Sequence, residues 1–228
     1  MHHRSTMRIG TDAVMLGAWV SCSDASQILD IGSGSGILSL MMAQRNPSAD
    51  ITAVDIDAAS SEEAEFNFAM SRWGRRMEAV CADIRQFAKQ HQSTFDLIIS
   101  NPPFFTSAFK TRQAQRNLAR HTDTLSYQDL ASSAASLLEK NGTFAVVLPE
   151  NSFETMVEAA SAHGLFIKRL QYIIPVEGLP CNRINAEFCF KISLQPNTEQ
   201  LIIRNKDYTF SAEFQELLKD FYLGLATS

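Results

Sequence analysis

Short apolar runs alternate along the chain with longer stretches in which apolar residues recur every three or four positions. The runs Gln27–Ile31, Ile51–Asp55, Glu78–Cys81, Phe95–Ser100 and Thr143–Leu148 read as strands, and Ile167–Ile174 and Glu187–Ser193 as two more. Between them, helical periodicity covers Ile37–Arg45, Ala58–Trp73, Ile84–His91, Tyr127–Glu139 and Phe153–His163. Gly142 and Gly164 stand where glycines that end helices are expected. This alternation builds an α/β fold with a mostly parallel, seven-stranded sheet and helices on both faces. The last two strands are joined by a Pro- and Gly-containing loop, VEGLPCNRIN, in place of a helix, so the seventh strand is expected to run antiparallel. The stretch Asn197–Leu225 reads as a short apolar strand and an amphipathic helix, an extension packed on the same core. With no repeat, low-complexity tract or linker, the 228 residues are expected to form one domain, with residues 1–26 as an N-terminal segment that covers the cofactor site.

Composition adds few constraints. Hydrophobic residues make up 45% and charged residues 20%, as in ordinary globular proteins. No apolar run reaches the roughly 18–20 residues that cross a bilayer, and MHHRSTMRIG lacks the apolar stretch of a secretory signal. Two adjacent histidines are too few for a purification tag, and a cytoplasmic location is expected. Cys22, Cys81, Cys181 and Cys189 show no C-x-x-C spacing and no paired histidines, so buried free thiols are expected and no metal. The net charge of -5 argues mildly against a nucleic-acid partner, although local concentration of positive charge matters more than the total.

The chemistry begins at the end of the first strand. Asp30 is followed by a turn reading Gly32-Ser-Gly34-Ser-Gly36, and a helix comes next. Ligands of open α/β sheets bind at the carboxyl ends of the strands, where glycines let the backbone come close. A dinucleotide fingerprint needs a glycine or alanine three residues after the second glycine, and Ile37 stands there. The turn suits S-adenosyl-L-methionine, which has no pyrophosphate to cradle. Asp55 ends the second strand, where a carboxylate can accept from both ribose hydroxyls, and Asp83 follows the third, within reach of the adenine amino group. Ile56 and Ile84 would pack on the two faces of that base. The fourth strand runs into Asn101-Pro102-Pro103-Phe104-Phe105. Prolines fix φ and remove donors, leaving carbonyls with no competing N–H. If Asn101 and the Pro102 carbonyl both accept from an exocyclic amino group, its delocalised lone pair is freed to attack a sulfonium methyl. Phe104 would stack on the base, and no strong general base is needed. Lys110, Arg112, Arg116 and Arg120 follow with no acidic residue among them, a basic lip suited to phosphates.

These motifs resemble the class I, Rossmann-like methyltransferases, in particular the amino-methylating group with an (N/D)-P-P-(F/Y/W) motif. The block Met7-Arg-Ile-Gly10-Thr11-Asp12-Ala-Val-Met-Leu-Gly17-Ala-Trp19, the NPPFF motif, Ala119-Arg-His-Thr122 and Leu217-Leu-Lys-Asp-Phe-Tyr222 are similar to the bacterial tRNA1(Val) adenine-N6 methyltransferase family. The resemblance covers nearly the whole chain. It implies an S-adenosylmethionine-dependent enzyme that methylates N6 of the adenine 3′ of the anticodon. It also implies that Thr11 holds the methionine portion of the cofactor, that Asn101 borders cofactor as well as substrate, and that Asn101–Phe104 form the catalytic motif. Phe104, Phe105 and the basic segment fall on the substrate side, and a monomer that binds tRNA and no membrane is expected. The family usually begins further upstream, so Met1 is expected to be a late start or a trimmed end. Two rival readings stay open. Glutamine methyltransferases acting on release factors share the N-P-P motif but normally carry a helical domain before the glycine loop. Ribosomal-RNA guanine-N2 methyltransferases share N-P-P-F but tend to have a duplicated domain and a histidine where Phe105 stands.

Overall fold

The apolar runs pair into one sheet. A computed structural model describes residues 10–91, 93–103 and 125–222 of the chain. Its strands are β1 (Gln27–Ile31), β2 (Asp50–Asp55), β3 (Met77–Cys81), β4 (Phe95–Ser100), β5 (Leu138–Pro149), β6 (Phe166–Val176), β7 (Arg183–Cys189) and β8 (Asn197–Arg204). They lie in the order β3-β2-β1-β4-β5-β7-β6-β8. Only β7 runs against its neighbours, β5 and β6, and every other pairing is parallel. The sheet therefore has one strand more than the seven expected. The short strand foreseen after Asn197 pairs in parallel with β6, because an edge of unpaired amides is satisfied better by a strand than by side chains.

Around the sheet lie α1 (Thr11–Trp19), α2 (Ile37–Arg45), α3 (Ala58–Met70), α4 (Ile84–Gln90), α5 (Tyr127–Leu137), α6 (Phe153–Ala162) and α7 (Ala212–Leu218). Successive strand residues face opposite sides, so consecutive apolar positions serve two cores. Leu97, Ile99, Ala145 and Val147 pack with α1, α2 and α7. Ile98, Phe144, Val146 and Leu148 pack with α4, α5 and α6. Among the described residues, no helix is long and apolar enough to cross a membrane.

Three expectations are corrected. Strand β7 begins at Arg183, four residues before the predicted Glu187. Its alternation is hidden because its inward polar residues are paired: Asn185 donates to Gln171 at 3.0 Å, and Arg169 donates to Glu187 at 2.9 Å. Gly142 does not end a helix but lies inside β5, where an added Cβ would meet the Leu138 side chain at 2.7 Å and the Asp96 carbonyl at 3.0 Å. Gly164 does end α6: its φ is 75°, and Leu165 N–H returns to the Ala160 carbonyl at 2.9 Å. Of the four free cysteines, Cys22 alone is buried, and Cys81 is exposed.

The helix α1 is not foreseen in the sequence, since its TDAVMLGAW stretch is apolar all round. Seven of its nine residues are buried, which suits a helix enclosed on every side. It is fastened at both ends. Arg45 donates to the Gly17 and Val20 carbonyls at 2.7 and 2.6 Å. The Arg169 guanidinium lies 3.9 Å from the centre of the Trp19 ring, whose indole N–H donates to Glu199. At the other end, Arg183 pairs with Asp12 at 2.9 Å.

Candidate active site

At the carboxyl end of the sheet the glycine turn links β1 to α2. Gly32, Gly34 and Gly36 all have positive φ, at 71°, 55° and 79°. They are glycines for two different reasons. A Cβ on Gly32 or Gly34 would meet no atom of the described residues within 4 Å, so these are glycines because their backbone takes a shape that L side chains rarely adopt. A Cβ on Gly36 would lie 2.5 Å from the Phe68 ring of α3. The turn is held down by Gly32 N–H and Ser33 N–H, both donating to the Val54 carbonyl of β2, at 2.8 and 3.3 Å. Asn67 of α3 donates to the Ser35 carbonyl at 2.9 Å.

Asp30 is fully buried and does the work that the N-cap of α2, a glycine, cannot do. Its Oδ2 accepts from the Ser39 backbone N–H at 3.1 Å and from the Ser39 hydroxyl at 2.7 Å. Its Oδ1 has no partner among the described residues. Burial pushes this carboxyl up to about 7, against the lowering effect of the Ser39 bonds and with help from the nearby Asp55 charge. The native state thus holds a proton that the unfolded chain releases near pH 4. The stability this contributes is fully present below about pH 4 and is lost as pH rises through about 7. Chemical denaturation across that range should show the decline in the wild type and a flatter profile in Asp30→Asn. Equal slopes would assign the proton elsewhere.

Asp55 is half-buried, and its carboxylate organises the turn facing it. Oδ2 accepts from Gly34 N–H at 2.8 Å and Oδ1 from Asp57 N–H at 2.9 Å. Burial pushes the Asp55 carboxyl above the usual carboxylate range, and these two N–H bonds pull against that rise. Asp83 caps α4 and accepts the Arg85 guanidinium as a fork, at 2.6 Å for the shorter arm. The Arg85 guanidinium holds the Asp83 carboxyl below its ordinary value. Both oxygens are engaged by Arg85, so an adenine amino group would reach Asp83 only as one more donor. Ile56 is 61% exposed at the mouth, whereas Ile84 is 5% exposed and packs into the core beneath.

Strand β4 is registered against β1, with Ser100 opposite Ile31, and the Ser100 hydroxyl donates to the Ile31 carbonyl at 2.8 Å. The first residues past these paired ends are Gly32 after β1 and Asn101 after β4. Asn101 Oδ1 is buried and finds no hydrogen-bond partner among the described residues. Such an atom is costly unless a donor completes it. Pro102 is buried and Pro103 exposed. Phe104, Phe105, Lys110, Arg112, Arg116, Arg120 and the Ala119–Thr122 segment lie outside the described residues, as do Met7–Ile9. Thr11 opens α1 and lines a cavity beside Asp12 and Arg183 that is separate from the glycine turn. Sequence reasoning missed Ser33, whose buried hydroxyl is also unpartnered among the described residues, and Ser39 and Asn67, which brace the turn. Nothing local distinguishes these from surface serines and asparagines. Among the described residues, no group of three or more His, Cys, Asp or Glu is placed to hold a metal.

Comparison with known proteins places this arrangement. Residues 7–161 match the family model of the methyltransferase small domain. A tRNA1(Val) (adenine(37)-N6)-methyltransferase of Bacteroides fragilis is 40% identical over 225 residues, covering 98% of this chain and 94% of its own. The chain belongs to this methyltransferase family. The protein of the same name from Trichodesmium erythraeum is 44% identical over 223 residues, covering 96% of this chain and 92% of its own. Among solved structures, a predicted O-methyltransferase from Agrobacterium tumefaciens superposes with a TM-score of 0.71 at 19% identity, covering 91% of this chain and 95% of that one. That likeness supports the Rossmann-like methyltransferase fold.

Proposed function

We propose that this protein is an S-adenosyl-L-methionine-dependent tRNA methyltransferase that methylates N6 of adenine 37 in tRNA1(Val). One observation carries the reading: the side-chain oxygen of Asn101, which opens an intact Asn-Pro-Pro motif, is buried with no partner among the described residues, in a chain 40% identical to enzymes of that name. S-adenosyl-L-methionine supplies an electrophilic methyl group on its sulfonium. The rest is positioning by this chain. Gly32 and Gly34 would admit the cofactor's amino-acid end, and Asp55 would accept from the ribose hydroxyls while it holds Gly34. Thr11, on the separate cavity, has no part in this role. Ile56 walls the adenine, and Asp83 contributes as a secondary acceptor.

Asn101 Oδ1 and the Pro102 carbonyl accept the two hydrogens of the substrate's amino group. This draws the nitrogen toward tetrahedral geometry and aims its lone pair at the methyl. After transfer the nitrogen loses one proton to a carbonyl or water. Phe104 and Phe105 stack against the base, Pro103 stiffens their approach, and Lys110, Arg112, Arg116 and Arg120 grip phosphates. A cytoplasmic location goes with such a substrate.

Unmodified tRNA incubated with labelled cofactor should acquire label at adenine 37 N6. Label on guanine, or on protein alone, would overturn the substrate assignment. At the cofactor side, Asp55→Ala should weaken S-adenosylmethionine binding by about 10- to 100-fold, from loss of charge-assisted bonds and of the acceptor for Gly34. Unchanged affinity by calorimetry in a folded variant would remove Asp55 from the site.

A further inference from the structure

A cavity of about 760 Å³ opens between α1, β6, β8 and α7. Since β7 is antiparallel to both β5 and β6, strands β5 and β6 run parallel, and β8 runs parallel to β6. The cavity is lined by Ile173, Val176 and Arg204, at the carboxyl ends of β6 and β8. It therefore opens on the same edge of the sheet as Asn101, three to four strands away, or roughly 14–19 Å.

Its rim is built of rings and a guanidinium. Tyr208 is 67% exposed and is the one non-glycine residue with positive φ, at 67°, among the described residues. A tight turn imposes that shape. Asn205 N–H donates to the Thr209 carbonyl at 2.9 Å, Tyr208 N–H donates to the Asn205 carbonyl at 2.9 Å, and Asp207 accepts from Thr209 N–H at 3.0 Å. Glycine or asparagine is the relaxed occupant of such a position. Tyrosine there is strained and holds its ring out over the cavity mouth, an outlier of the kind that clusters at ligand clamps. Arg204 donates to the Tyr208 carbonyl at 2.6 Å, and its guanidinium lies 4.1 Å from the centre of the Phe210 ring. An exposed ring and a cation above an apolar floor suit a base and its phosphate. The volume lies in the range of pockets that hold small ligands, about 300–1,000 Å³.

We propose that this cavity is a second RNA subsite, with Tyr208 stacking on a nucleotide near, but not adjacent to, the methylated adenine and Arg204 facing its phosphate. The inference rests on the tRNA methyltransferase reading above. The test uses the full-length protein and an anticodon stem-loop RNA carrying the target adenine, with binding read by fluorescence anisotropy and cofactor binding by calorimetry. Tyr208→Gly relieves the backbone strain, so its melting temperature should hold or rise. Its RNA affinity should nonetheless fall about 5- to 100-fold, with cofactor affinity unchanged. Tyr208→Phe keeps the ring and should bind RNA as the wild type does, and Tyr208→Asn serves if the glycine variant fails to fold. Wild-type RNA affinity in the folded glycine or asparagine variant would overturn the subsite while leaving the methyltransferase reading intact. A loss of cofactor affinity in place of RNA affinity would assign the cavity to the cofactor and equally overturn it. A wild-type protein that binds no RNA would bring down both.

Discussion

Replacing Asn101 with alanine is expected to lower kcat by about 10²–10³ while leaving cofactor affinity and stability close to wild type. The magnitude is that of removing one preorganised acceptor from a transition state, about 2.7–4 kcal/mol. The separation of effects follows from the structure. Asn101 Oδ1 bonds to nothing among the described residues, so its loss removes no such contact. The backbone of the motif is held by the β4 register and by the Ser100 hydroxyl on the Ile31 carbonyl, neither of which depends on the Asn101 side chain. Single-turnover measurement with saturating tRNA and cofactor isolates the chemical step. Near wild-type turnover would mean that the amino group is oriented without Asn101, and the lone-pair account would fail. A rise in KM with kcat untouched would recast the residue as a binding contact only.

Gly36→Ala is expected to destabilise the fold by about 2–5 kcal/mol. Part is the left-handed backbone, with φ at 79°, which costs an L residue about 1–2 kcal/mol. Part is overpacking, about 1–3 kcal/mol, because the new methyl would stand 2.5 Å from the Phe68 ring and 3.2 Å from Ala64. Phe68 is 2% exposed and cannot swing into solvent. Urea denaturation of Gly36→Ala, Phe68→Leu and the double variant separates the two parts. The double variant should recover the packing loss and keep the backbone loss, giving a coupling of about 1–3 kcal/mol. Additive losses would show that the ring and the turn do not press on each other. The same addition at Gly34 meets no atom of the described residues within 4 Å, so Gly34→Ala should cost less stability, and its effect should fall on cofactor binding.

The chain by itself determined the alternation of strands and helices, the glycine turn with its acidic neighbours, and the Asn-Pro-Pro end of β4. These are local signals. A strand's period, a glycine needed for positive φ and a proline pair are each written in consecutive residues. What only the tertiary structure decided depends on partners far apart in the chain. Strand β7 is displaced from its predicted span because Asn185 and Glu187 are buried polar residues satisfied by Gln171 and Arg169 on the neighbouring strand, which no hydropathy pattern can reveal. Gly142 resembles a helix stop but serves the close approach of β5 to the Asp96 carbonyl. At the site, Asp30, Asp55 and Asp83 look alike in sequence as three acids at three strand ends. Tertiary contacts make them different: Asp30 is buried on Ser39 with its carboxyl pushed up to about 7, Asp55 braces Gly34, and Asp83 is gripped by Arg85. A carboxylate's role follows from its burial and from the donors that face it, and in a sheet of eight strands those donors come from other strands and helices.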